Sequence, residues 1–213
     1  MTRARGSEGP RIIDIDRLER AVRVAGAVGA AIALASVAPA IVQRSAAPTG
    51  RTLGRQTYLQ PAALAAISAA FTLGTAAAWQ DLPVLLRPYA RGVALGVGAP
   101  SLLGGLALYI SGRQALGGMY DVSTTAGVRL RLDHRLVTTG PYGVVRHPMY
   151  LGAVAAAVGA LLVYRTWTTV LLVALTPVLV VRAQREESAL AAEFGAAWEA
   201  YCRRVPGWIP SWP

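Results

Sequence analysis

The chain has 213 residues, of which 54% are hydrophobic and only 15% are charged, and its mean hydropathy is +0.43. A water-soluble domain of this length does not need so apolar a sequence to bury its core, so the composition predicts a membrane protein. The formal charge of +10 comes from arginine alone, since the chain has no lysine, and the arginines lie in short segments between apolar runs. This distribution excludes a nucleic-acid-binding domain and favours contact with phospholipid headgroups.

The first 20 residues are polar, and residues 11–20 could form a short amphipathic helix at the headgroup level. Residues 21–42 are almost wholly apolar and long enough for the roughly 20 residues that a bilayer-spanning helix requires. Residues 21–42 therefore predict the first transmembrane helix. The alternative is a signal peptide cleaved after Ala40, but the apolar core of a signal peptide has only about 7–15 residues.

Two more apolar segments, residues 58–79 and 92–110, complete a predicted three-span unit over residues 21–110. The glycines of the third span allow close packing of helices. The longest polar segment, residues 111–148, follows and contains both histidines of the chain. It is too long to be a simple connection, and we expect it to carry function.

Residues 151–164 and 168–181 are apolar runs separated by three residues, which predicts a transmembrane helical hairpin. In the polar tail, residues 182–213, bulky apolar residues recur at helical spacing and predict an amphipathic helix that ends near Pro206. The predicted fold is therefore an all-α, integral-membrane bundle of about five transmembrane helices. This topology places the loop and the tail on one side with 12 of the 21 arginines, and the positive-inside rule favours that side as cytoplasmic.

Two segments carry the residues with chemical potential: HRLVTTGPYGVVRHPMYLG, residues 134–152, and RAQREESALAAEFGAAWEAYCRRVPGWIP, residues 182–210. Gly140 and Pro141 predict a turn in the first segment. In the second, Arg182 and Glu186 are four residues apart on one helical face, which predicts an ion pair. Ionisable residues at a membrane boundary are candidates for function. Because Cys202 is the single cysteine, a thiolate metal cluster is excluded, and we expect no metal.

From about Arg113 to Pro210, the chain resembles the integral-membrane isoprenylcysteine carboxyl methyltransferases and their bacterial relatives, which overlap with phospholipid N-methyltransferases. The resemblance rests jointly on the elements H-x-L-V, G-P-Y, R-H-P-x-Y-x-G, E-E, F-G and V-P-x-x-I-P. It implies a helical membrane enzyme that uses S-adenosylmethionine without the soluble Rossmann fold. The chain agrees with this, because no G-x-G-x-x-G motif opens a strand-to-helix turn.

By this resemblance, Glu186 would bind the polar part of the cofactor and Arg182 would face the methyl acceptor. A guanidinium suits a carboxylate acceptor, whereas a protonated amine would need a base such as Glu186, Glu187 or His147. We otherwise expect Glu187, Glu193 and Glu199 to lie on a solvated helix face. The residues implied to line the cofactor, besides Glu186, are His134, Arg135, Leu136, Val137, Tyr142, His147, Pro148, Met149 and Tyr150.

The resemblance thus implies a methyltransferase whose acceptor is the carboxyl or thiol group of a prenyl-like or other hydrophobic molecule that enters from the bilayer. Three alternatives remain: a phospholipid amine N-methyltransferase, an NADPH-dependent membrane reductase of the sterol-reductase type, and a non-catalytic membrane scaffold. The arginine-only, alanine-rich composition suggests a high-GC bacterium. We therefore expect an inner-membrane protein whose active site, within residues 111–213, faces the cytoplasm.

Overall fold

The computed structural model describes residues 14–43, 52–53, 61–119, 128–129 and 135–209. This part of the chain contains seven α-helices, two short 3-10 turns, Gly117–Met119 and Gly140–Gly143, and a two-residue antiparallel pairing of β1, Thr52–Leu53, with β2, Val128–Arg129. The helices are α1 Ile15–Gln43, α2 Pro61–Ala77, α3 Pro88–Leu116, α4 Pro148–Tyr164, α5 Trp167–Leu175, α6 Pro177–Phe194 and α7 Ala196–Arg204.

Three helical stretches are long and apolar enough to cross a membrane: Ile15–Val37, Pro88–Met119 and Trp167–Phe194. Helix α4 is a shorter apolar helix of 17 residues. Large apolar side chains such as Leu34 and Leu73 lie on the outside of the bundle, 75% and 70% exposed, where lipid would cover them. The prediction of an all-α, integral-membrane helical bundle is confirmed.

Two helix boundaries differ from those expected. Helix α1 begins at Ile15, so residues 15–20 belong to the same helix as the first apolar run. The last span is interrupted at Thr176 and then continues as α6 without a break to Phe194. Good helix formers fill α6 from Arg182 onward, and the helix stops only at Gly195, whose φ of +47° favours glycine. The predicted end of the tail helix near Pro206 is confirmed, since α7 ends at Arg204.

The antiparallel contact between α3 and α4 is made through the backbone. A Cβ atom added at Gly105 would lie 2.5 Å from the backbone nitrogen of Ala156 and 2.6 Å from the carbonyl oxygen of Gly152. One added at Gly152 would lie 2.7 Å from the backbone nitrogen of Tyr109. No side chain fits between the helices at these two positions, and the glycines there let the helices approach closely. The glycines along this seam recur every seven residues: Gly98, Gly105 and Gly112 in α3, and Gly152 and Gly159 in α4.

Helix α1 packs beside α3 in the parallel direction. The apolar core between α1, α3 and α4 consists of Val22, Leu95, Leu102, Ala160 and Val163, all of which are buried. Because α4 is antiparallel to both neighbours, its start lies at one end of the bundle and its end lies at the other. A helix of 17 residues is about 25 Å long at 1.5 Å per residue, so residues at its two ends serve opposite membrane boundaries.

The glycine seam predicts opposite effects for neighbouring substitutions. Gly105→Ala should lower the free energy of unfolding by about 2 kcal/mol, because its methyl group meets backbone atoms that cannot move aside. Gly104→Ala is the matched control, since nothing lies within 4 Å of its added Cβ and alanine favours the helix. Thermal unfolding in detergent, followed by circular dichroism, compares the two. Equal melting temperatures would contradict the seam.

Candidate active site

The polar loop before α4 is joined to the end of the tail by backbone hydrogen bonds. Gly140 adopts a φ of +61°, which opens the turn predicted at this position. Further along, the Arg146 N–H donates to the carbonyl oxygen of Pro206 at 2.9 Å, and the His147 N–H donates to that of Gly207 at 3.1 Å. The residues after α7 therefore lie directly against the start of α4.

Glu187 holds this junction together through one carboxylate oxygen. Its Oε1 accepts hydrogen bonds from His147 Nε2 at 2.8 Å and from Arg146 Nε at 3.1 Å, and Arg146 Nη2 lies 3.0 Å away. The Arg146 guanidinium also donates to the carbonyl oxygen of Val205 at 2.9 Å. Since the carboxylate accepts, the bond to His147 places a proton on Nε2. The His147 side chain is only 5% exposed, so this orientation is fixed by contacts on every side.

Glu186, the preceding residue, makes a second polar group with Tyr150 and Arg182. The Tyr150 hydroxyl donates to Glu186 Oε1, and Arg182 Nε donates to Tyr150 Oη at 2.7 Å and to Glu186 Oε1 at 3.2 Å. The ion pair predicted from the i,i+4 spacing is confirmed. Each of the two charged side chains is 25% exposed, so the group is partly open to a ligand.

An aromatic surface joins these two carboxylate groups. The rings of His147 and Tyr150 are nearly parallel, with centroids 5.7 Å apart and planes inclined by 16°. The Trp208 ring lies 5.4 Å from His147 and 6.3 Å from Tyr150. Three rings from the start of α4 and from the tail therefore share one region, beside the carboxylates of α6.

Each of the two carboxylates has one oxygen that accepts no hydrogen bond from the described residues. In Glu186 and in Glu187, the hydrogen bonds that the described residues donate all go to Oε1, and Oε2 accepts none from this part of the chain. A carboxylate oxygen next to aromatic faces is suited to a cationic group, because the charge and the ring quadrupoles both attract it.

A small apolar core supports the tail behind the site. Trp198, Tyr201 and Val205 are buried and pack against Leu136 of the polar loop. The Tyr201 hydroxyl donates to the carbonyl oxygen of Tyr142 at 2.7 Å, which ties α7 to the turn after Gly140. Burial raises the pKa of Tyr201 to about 12, because the phenolate is disfavoured away from water.

Residues 93–197, just under half of the chain, match the family model described as phospholipid methyltransferase. The protein-S-isoprenylcysteine O-methyltransferase of Schizosaccharomyces pombe is 37% identical over 83 residues, which cover 38% of this chain and 35% of the yeast protein. A Delta(14)-sterol reductase of Mus musculus is 30% identical over 95 residues, which cover 43% of this chain and 21% of the mouse protein. The chain thus spans about a third and about a fifth of these curated relatives.

The resemblance to the isoprenylcysteine methyltransferase-like membrane proteins is confirmed. Within this methyltransferase-like region, the structure brings four of the predicted residues into one cluster of direct contacts: His147, Tyr150, Arg182 and Glu186.

The other predicted residues surround this cluster or lie beside it. Pro148 and Met149 are buried, and Met149 faces Gly112 of α3. Tyr142 contributes its carbonyl oxygen to Tyr201. The four residues before the turn differ among themselves: Leu136 packs on the tail core, Val137 is half-buried, Arg135 is exposed, and His134 lies outside the described residues.

Sequence reasoning missed Arg146 and Trp208, and it considered Glu187 only as a candidate base or as part of a solvated helix face. The expectation that Glu187 lies on a solvated face is wrong, because its carboxylate binds Arg146 and His147. The adjacent charges of R-H-P and E-E were the available signal. It was insufficient because the pairing joins residues 40 positions apart.

Removing the Glu187 carboxylate should release the tail. Glu187→Ala leaves Arg146 and buried His147 without their acceptor, and we expect a loss of about 2 kcal/mol in the stability of the tail. Limited trypsin digestion at Arg203 and Arg204 measures this, since cleavage should be faster in the variant. Glu193→Ala, at an exposed position of the same helix, should cleave like the wild type. Equal rates in both variants would show that Glu187 does not hold the tail.

The raised pKa of Tyr201 predicts alkaline loosening of the tail. The folded-state pKa of about 12 exceeds that of an unfolded tyrosine, so this contribution to stability is complete below about pH 10 and is lost as the pH rises towards 12. Melting temperatures measured from about pH 9 to about pH 12 should fall more in the wild type than in Tyr201→Phe. Parallel curves for the two proteins would assign the alkaline loss to other tyrosines.

Proposed function

We propose that this chain is a membrane-embedded, S-adenosylmethionine-dependent methyltransferase that acts on a lipophilic acceptor through a carboxyl or thiol group. The observation that carries the proposal is the meeting of an aromatic surface with two half-satisfied carboxylates, at one end of a membrane bundle, within a region similar to methyltransferases. The proposal includes a lipid or prenyl-like substrate that reaches the site from the bilayer.

The donor set fits the proposed cofactor. S-adenosylmethionine carries an ammonium, a carboxylate, a sulfonium and an adenine ring, and when bound it supplies an activated methyl group. The Glu186 carboxylate would hold the ammonium through Oε2. The faces of His147, Tyr150 and Trp208 would receive the sulfonium or the adenine. The surrounding wall is proposed to comprise Tyr142, Pro148, Met149 and residues 134–137.

The charges of the site favour an anionic acceptor. Among the described residues, Arg146 pairs with Glu187 and Arg182 pairs with Glu186, so these two ion pairs contribute no net charge to the site. S-adenosylmethionine carries one net positive charge, which a carboxylate or thiolate acceptor would cancel. A protonated amine would instead add a second positive charge to a partly buried site, which is unfavourable.

Arg182 is proposed to face this acceptor. Its Nε already donates to Tyr150 and Glu186, which fixes the plane of the guanidinium beside the proposed cofactor position. A guanidinium held in this way can orient both oxygens of a carboxylate. Methyl transfer is an in-line displacement, so this chain would contribute mainly alignment of the acceptor and exclusion of water.

The similarity to a mouse Delta(14)-sterol reductase supports a second candidate, an NADPH-dependent reductase. The balanced charge of the described site argues against it, because NADPH brings several negative phosphate charges that need a cationic excess. The phospholipid methyltransferase match supports a third candidate, transfer to a phospholipid amine, for which His147 or Glu187 would serve as the base.

Calorimetric titration of the detergent-purified protein with S-adenosylhomocysteine, and in parallel with NADPH, tests the proposal. Binding of S-adenosylhomocysteine alone is the expected result, and it justifies a screen of lipophilic carboxylates, thiols and phospholipid amines with labelled cofactor. Binding of NADPH alone would favour the reductase. Binding of neither would favour a non-catalytic scaffold.

The assigned roles predict different defects for two variants. Glu186→Gln should weaken binding of S-adenosylhomocysteine about tenfold or more, since a charge-assisted hydrogen bond is lost. Arg182→Ala should mainly raise the KM for the acceptor or lower the turnover rate, with a smaller change in cofactor affinity. Glu193→Gln is the control on the same helix and should match the wild type. Equal losses of cofactor affinity in the first two variants would overturn this division of roles.

A further inference from the structure

A second ionic cluster lies at the opposite end of the bundle from His147. Glu19 of α1 is 4% exposed, yet three guanidinium groups surround its carboxylate. Arg23 and Arg91 donate to it at 2.8 Å and 2.7 Å, and Arg165 forms a third ion pair. The cluster therefore links α1, the start of α3 and the turn after α4.

The cluster forms the wall of a cleft of about 580 Å³ that carries excess positive charge. Four arginines and two carboxylates line it, an excess of two positive charges: Arg20, Arg23, Arg91 and Arg165 against Asp16 and Glu19. Arg20 is exposed and has no ion-pair partner among the described residues. The Nε atom of Arg23 is also buried, and no described residue accepts a hydrogen bond from it. An internal ion network would need neither feature.

Arg165 is the residue at which α4 ends. Arg165 adopts φ 55° and ψ 49°, a left-handed conformation that a residue with a Cβ atom rarely occupies. The Leu82 N–H donates to its carbonyl oxygen at 2.8 Å, which holds the turn in place. The Arg165 guanidinium forms an ion pair with Glu19, so this turn is joined to α1.

Apolar side chains lie next to the arginines. Residues 84–86 complete the lining of the cleft, and within them Leu85 is fully exposed and Val84 is 53% exposed. The cleft lies where α1 and α3 begin and α4 ends, which is the level of lipid headgroups in a protein that spans the bilayer. Cationic and apolar groups side by side at this depth match a phospholipid, whose phosphate and glycerol lie between water and the acyl chains.

We propose that this cleft binds the phosphate group of an anionic phospholipid, on the membrane face opposite the methyltransferase-like site. Guanidinium groups recognise phosphate through paired N–H donors, and the excess of two charges leaves capacity for one anion. Glu19 keeps three arginines converged in the absence of the ligand. The inference does not depend on the proposed methyl transfer.

Native mass spectrometry of the full chain in detergent, with phosphatidylglycerol or phosphatidylcholine added, tests the proposal. We expect phosphatidylglycerol to bind more tightly, and Arg20→Gln to weaken that binding about fivefold. Arg17→Gln is the matched control, because Arg17 lies on the same helix, is 86% exposed, and does not line the cleft. The dissociation constant of Arg17→Gln for phosphatidylglycerol should stay within about twofold of the wild-type value.

Competition with inorganic phosphate distinguishes the two sources of the same group. If millimolar phosphate does not displace phosphatidylglycerol, the cleft is a lipid site. If it does, the cleft is a site for free phosphate and the lipid proposal is overturned. Equal weakening in Arg17→Gln and Arg20→Gln would mean general attraction to the helix and would overturn the proposal. No preference for phosphatidylglycerol, or an unchanged constant in Arg20→Gln, would also overturn it. Both arginines are exposed, and circular dichroism confirms that the variants fold.

Discussion

Direct backbone contact between α3 and α4 determines the arrangement of the rest of the molecule. At Gly105, Gly152 and Gly159, the two helices approach until backbone atoms of one lie where a Cβ atom of the other would stand. Such a contact resists sliding, because any shift along the axis would bring side chains into the seam. The ends of α4 are therefore fixed relative to α3, and so are the groups they carry, Tyr150 at one end and Arg165 at the other.

The two adjacent glutamates of α6 show how one helix can serve two purposes. Consecutive residues point about 100° apart on a helix, so neighbouring carboxylates can contact different partners. Glu187 fastens the loop and the tail together, whereas Glu186 faces Tyr150 and Arg182. The structural carboxylate and the proposed ligand-binding carboxylate are thus independent, although they are neighbours in the chain.

The general fold was predictable because a bilayer allows few solutions. Apolar runs of sufficient length must form helices there, since no water can satisfy their backbone groups. The continuity of the last span with the helix of the tail was not predictable from hydropathy, because the chain becomes polar at Arg182 while remaining helical to Phe194. Polarity marks where a helix leaves the apolar layer, not where its hydrogen bonding ends.

The candidate site was predictable only in part, for a related reason. Local spacing revealed the Arg182–Glu186 pair, and the motif pointed to His147 and Tyr150. Pairing of Arg146 with Glu187 joins residues 41 positions apart, and Trp208 reaches the site only because the tail folds back. Such contacts depend on tertiary structure and leave no periodic trace in the sequence.

The backbone pairing of Arg146 and His147 with Pro206 and Gly207 has a consequence for the order of folding. It closes a loop of about 60 residues, which includes helices α4 to α7. A contact of such high sequence separation forms late, because everything between its two partners must first be in place. During synthesis, the helices would enter the bilayer while the loop before α4 still lacked its partner. The aromatic and carboxylate groups would then come together last, as the tail docks.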